Sequence, residues 1–108
     1  MSGSNFYDKQ IIPAIGSFDS NPIDCEHLTK GSFQVVWVDL DKMDGSFSIM
    51  LSNDGVSWAT ETTYSATTDC GDVVYRMNDI TTRYCRVSVD NGTNTVGAYK
   101  ILFFGRIR

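Results

Sequence analysis

Four small groups of residues in this chain are of types that could do chemistry. Asp39, Asp41 and Asp44, followed by Gly45, resemble part of a calcium loop. An EF-hand loop needs oxygen ligands at positions 1, 3 and 5 with glycine at 6. Counted from Asp39, the third aspartate falls at position 6 and the glycine at 7, so the frame is wrong and a solvated acidic loop is expected. Cys25, Glu26 and His27 place a thiol beside the only histidine. Nucleophilic catalysis needs the base within reach of the thiol and a third group to orient it. Adjacent residues of an extended segment point to opposite sides, which works against that geometry. Asn53-Asp54-Gly55 could present a ligand site at a loop tip. The same residues favour tight turns, because Asn and Asp bond to nearby backbone and tolerate left-handed geometry. Arg83 and Arg86 flank Tyr84 and Cys85; a stacked arginine, a cross-strand ion pair or a contact between subunits would each use them.

These groups need elements to hold them, and the pattern of the chain is that of strands. Gly45–Trp58 (GSFSIMLSNDGVSW) alternates apolar and polar residues, breaks at Asn-Asp-Gly and resumes at a tryptophan. It reads as a strand, a turn and a return strand, with Phe47, Ile49 and Leu51 inward and Trp58 packed into the core near the turn. Further strands are expected over Ser32–Leu40, Ser57–Tyr64, Asp72–Asn78, Thr82–Val89 and Val96–Ile107. Asn91-Gly92 has the chemistry of a type I′ hairpin turn. No segment of ten or more residues has a helical period. The fold class expected is all-β: an antiparallel β-sandwich in the form of a compact jelly roll.

Size and composition agree with one domain. The chain has 108 residues, 42% hydrophobic and 20% charged, which is globular composition. Nine basic residues against thirteen acidic ones give a net charge of -4, which weighs against nucleic acid as a partner. No apolar run approaches the ~20 residues of a membrane span, and the first residues lack the charged and apolar regions of a signal peptide. The three cysteines, Cys25, Cys70 and Cys85, form no C-x-x-C pair and read as thiols of a reducing compartment. Cys85 shares the register of Val87 and Val89 and is expected in the core. No cofactor or metal is expected.

Two features point to protein contacts. Residues 1–24 contain Pro13, Pro22 and scattered apolar residues, and read as an extended arm ahead of a sandwich over 25–108, with a first strand near Gln10–Ile15. Phe6, Ile11, Ile12, Phe18 and Ile23 would be its anchors. The strands Ser32–Leu40 and Val96–Ile107 are apolar on both faces, whereas a lone sandwich needs only one apolar face per strand. Tyr99 and Phe103 are expected to join the partner surface.

Ser52-Asn-Asp-Gly-Val-Ser-Trp58, Thr82-Arg-Tyr-Cys-Arg-Val87 and the closing Phe103-Phe-Gly-Arg106 resemble the discoidin-type galactose-binding jelly roll. Over roughly Ser32 to Gly105 the chain is more similar to short tailed-phage virion proteins built on such a sandwich. That resemblance implies a non-enzymatic virion protein assembled in the host cytoplasm. The form expected is an oligomeric capsid decoration (cement) protein bound to the major capsid protein or other virion proteins. It would hold by many repeated weak contacts. A receptor- or glycan-binding module of a tail fibre, using Asp54, Trp58 and Asp69, is the alternative, as is a tail or neck component.

Overall fold

The computed structural model describes residues 5–108, and all of its elements are strands. They are β1 (Asn5–Pro13), β2 (Ser17–Asp19), β3 (Ile23–Asp24), β4 (Leu28–Val38), β5 (Gly45–Ser52), β6 (Ala59–Ala66), β7 (Gly71–Met77), β8 (Tyr84–Asp90) and β9 (Ala98–Ile107). The front sheet has the order β1-β9-β4-β7; the back sheet has the order β2-β8-β5-β6, with β3 also pairing β8. All pairs are antiparallel. This is the strand order of a jelly roll, in which the chain keeps passing from one sheet to the other. The expected fold class is therefore the observed one.

Alternation explains how the layers close. Phe33, Val35 and Trp37 of β4, and Tyr99, Ile101 and Phe103 of β9, turn inward from the front sheet. Phe47 and Ile49 of β5, and Cys85, Val87 and Val89 of β8, meet them from the back. The aromatic rings interlock: Phe33 lies edge-on to Phe103 at 4.9 Å, and Phe47 stacks with Tyr64 at 5.3 Å. The Tyr99 ring reaches Gly45, where an added Cβ would meet its hydroxyl at 2.5 Å. That close approach is why β5 begins on a residue with no side chain.

Of the segment expected to be an extended arm, residues 1–4 lie outside the described residues, and residues 5–24 pair with the two sheets. β1 pairs with β9 over its whole length, from Asn5↔Arg106 to Pro13↔Ala98. β2 and β3 line the outer side of β8, and between them Ser20 closes the gap, its backbone N–H donating to Val87 O and its hydroxyl accepting from Val87 N–H. The apolar residues scattered over this segment are explained by that packing: an edge strand needs only some inward side chains.

Asn91-Gly92 is not a hairpin. β8 and β9 lie in different sheets, so this segment crosses between the layers. A type I′ turn needs positive φ at both central residues, and here Gly92 has it while Asn91 does not. Asn91 is instead buried, and its side-chain N–H donates to Gly16 O at 2.6 Å. Among the described residues the one hairpin within a sheet is β5–β6, the one read from Asn53-Asp54-Gly55.

Candidate functional site

The chemistry-bearing groups resolve mostly into structural ties. Asp54 Oδ1 accepts the N–H groups of Val56 and Ser57 and the Ser52 hydroxyl, at 2.9, 2.7 and 3.0 Å. Those bonds hold its carboxyl at a pKa of about 2. Gly55 takes the positive φ that completes the turn. Asp41 accepts from Thr95, and Asp44 from Thr93 and Asn94, so both carboxylates tie the loop after β4 to the β8–β9 crossing. These bonds lower both carboxyl pKa values. Among the described residues no group of three His, Cys, Asp or Glu side chains is placed to hold a metal ion.

Cys25 and His27 are not brought together. Cys25 is buried with its Sγ 3.2 Å from Cys85 Sγ, while the His27 side chain is 78% exposed and lies 3.9 Å from Glu26. The contact with Cys25, and burial, push the Cys85 thiol up. Arg83 bridges Asp24 and Glu26, both at 2.9 Å. Arg86 lies 4.0 Å over the Trp58 ring and 3.4 Å from Asp19. Both arginines are thus used within the chain. Trp58 is half-buried on the outside of the back sheet, not in the core.

The seven residues expected to meet a partner divide sharply. Ile12, Ile23, Tyr99 and Phe103 are core residues of this domain, each no more than 4% exposed. Their register sends them inward, because β9 alternates and its odd positions face the back sheet. Phe6 packs its ring against Phe103 at 6.1 Å. Phe18 is partly exposed at the edge formed by β2. Ile11 alone of the seven projects fully outward from the front sheet.

The surface that remains is the outer face of the front sheet. Its rows follow from the register: Tyr7, Phe104, Ser32 and Arg76; then Lys9, Leu102, Gln34 and Val74; then Ile11, Lys100, Val36 and Asp72. Tyr7 is 58% exposed, Ile11 60% and Phe104 45%. Each of the four strands contributes at least one apolar side chain to this face, with polar residues set between them. Lys9, Lys30, Lys100, Arg76 and Arg106 stand among them with Asp72 as the one acid. A chain with net charge -4 therefore carries a basic, apolar face, and four bases against twelve acids are left for the rest. Sequence reasoning found the surplus on β4 and β9 but named the wrong face of β9; Leu102 and Phe104, not Tyr99 and Phe103, are outside.

The outer face of the back sheet is different in kind. Ser46, Ser48, Ser88 and Thr63 form a hydroxyl carpet, with Ser48 and Thr63 bonded at 2.8 Å. The Trp58–Arg86–Asp19 group lies on the same side. Asp69, expected to act with Asp54 and Trp58, sits in the β6–β7 loop at the opposite end of the molecule, beyond the Gly45↔Ala66 pair.

This combination of fold and faces is that of a two-sheet β-sandwich module, and the comparisons with known proteins stay at that level. No family model matches the chain, and no curated protein does. Ten chains of solved structure match it. One is a carbohydrate-binding module of the CBM4 group, with a TM-score of 0.54 and 13% identity over 83% of this chain. The present chain spans 60% of that protein's length. Another belongs to Bacillus endospore appendages, a family of disulfide-linked pili, with a TM-score of 0.50 and 15% identity. That match covers 99% of this chain and 90% of the other. At such identities the likeness is one of fold.

Proposed function

We propose that the protein is a non-enzymatic structural subunit that docks onto its neighbours in a repeating assembly through the outer face of the front sheet. One observation carries this reading: on the outer face of the front sheet Tyr7, Ile11, Val74 and Phe104 are exposed and Val36 and Leu102 half-buried, with bases standing among them. Exposed apolar patches among polar residues mark interaction surfaces. An endospore pilus protein with the same fold along nearly its whole length supports a structural use of the sandwich. A tailed-phage shell, with the protein as cement on the major capsid protein, is the setting the sequence resemblance favours. Its test is the copy number in purified particles. Hundreds of copies support the shell, a dozen or fewer a tail or neck, and none removes the virion from the proposal. Phe104→Glu is expected to fold and to be lost from the assembly; normal incorporation of that variant would sink the front-face reading.

A second reading rests on the back sheet. Trp58, Arg86 and Asp19 combine an aromatic ring with charged hydrogen-bonding groups beside a hydroxyl surface, a composition suited to saccharides. The fold shared with a carbohydrate-binding module is compatible with it. A glycan array showing specific binding that is lost in Trp58→Ala would favour this reading.

A further inference from the structure

We infer that the groove between Lys30, Arg76 and Arg106 receives the acidic end of a second copy of this chain, so that copies stack head to tail. The inference rests on the front sheet being a docking surface and names its partner. The groove has a volume of about 270 Å³ and is floored by Ser32, Met77 and Phe104. None of its three cations has a carboxylate within 4.0 Å among the described residues, whereas Arg83 and Arg86 are both paired. It is a basic site with an aromatic wall and no carboxylate partner among the described residues.

The complement lies at the other end of the same strands. The loops after β4 and β6, with the last residue of β8, gather Asp39, Asp41, Asp44, Asp69 and Asp90, with Lys42 as their one base. Met43 and Val96 protrude among them, 47% and 55% exposed. The bonds from Thr93 and Thr95 to Asp44 and Asp41 fix this tip in shape, so little ordering is needed on contact. An apolar knob with an acidic rim thus faces outward at one end, and a basic groove walled by Phe104 opens on the front face near the other.

Geometry decides the symmetry. β4 runs from Lys30 at the groove to Val38 at the acidic end, and the molecule is 46 Å long and 18 Å thick. Two acidic ends repel each other, so a two-fold contact of like ends is disfavoured. A one-way contact between unlike ends, which neither copy returns to the other, is heterologous, and it propagates as a filament or ring. Charges at these ends are solvent-exposed, so the contact weakens with salt.

The experiment is sedimentation of the intact protein over a range of concentrations at low and high salt. Wild type is expected to associate at low salt and to separate at high salt. The triple variant K30E/R76E/R106E and the double variant D39K/D69K are each expected to remain monomeric. Mixing them is expected to restore association, because each then offers the charge the other lacks. Association that ignores salt and both charge variants but is lost in Phe104→Glu would overturn the head-to-tail contact and leave the front-face reading standing. A wild type that is monomeric throughout would overturn the second copy as partner, and particle incorporation of Phe104→Glu would then judge the front face separately.

Discussion

The outer faces of the two sheets are built on strands of similar length and share one core, yet they meet solvent differently. On the back sheet, β5 and β8 send Ser46, Ser48 and Ser88 outward between buried Phe47, Ile49, Val87 and Val89. On the front sheet, β4 and β9 send out Val36, Leu102 and Phe104 between equally buried neighbours. A sandwich requires only the first arrangement. The second leaves apolar area in water with no gain to the isolated domain, and its bases have no ion-pair partner among the described residues. The difference is what the docking role proposed for the front face would require.

The pair Phe103 and Phe104 gives the sharpest way to break that comparison, because adjacent identical residues face opposite ways. Phe103→Ala should destabilise the fold by roughly 3–5 kcal/mol in a denaturant titration, as for a large core ring. Phe104→Ala should change stability by less than about 1 kcal/mol. Equal losses would mean that the front strands do not alternate as described.

Next in size is the effect of acid on the loop ties. The carboxyls of Asp24, Asp41, Asp44 and Asp54 are all lowered by hydrogen bonds made in the fold, Asp54 to about 2. A group whose folded pKa is depressed contributes above its unfolded value and loses that contribution as pH falls through the folded one. Thermal stability should thus hold near neutral pH and fall from about pH 4 toward pH 2. Asp54→Ala should be less stable at pH 7 and should show a shallower fall. A parallel curve for wild type and variant would show that the turn bonds do not persist in solution.

Trp58→Ala tests the back face at smaller cost. It removes the stack with Arg86 and should lower stability by about 0.5–1 kcal/mol. A loss of core size would place Trp58 inside after all and remove it as a ligand-binding probe. The smallest effect concerns the thiols. Cys70 is exposed and should react first with an alkylating reagent, slowed because Asp69 raises its pKa. Cys25 and Cys85 should react only on unfolding, read by mass before and after denaturant.

The sequence by itself determined the class of fold, the hairpin at Asn53-Asp54-Gly55, and six strands to within a few residues at most ends. Those are local matters: alternation with period 2 and the backbone chemistry of Asn, Asp and Gly act through near neighbours. It also revealed that β4 and β9 are apolar on both sides. It could not say which side of β9 is inside, because Tyr99, Ile101 and Phe103 and their neighbours Leu102 and Phe104 are alike in character. Only the register against β1 and β4 chose between them. The tertiary structure likewise decided that residues 5–24 supply three strands of the sandwich, that Asn91-Gly92 crosses between sheets, and that Trp58 lies outside under Arg86. It alone gathered Lys30, Arg76 and Arg106, far apart in the chain, around one groove. Each outcome depends on which distant strand pairs with which, and pairing is fixed by burying the whole core at once rather than by any local run of residues.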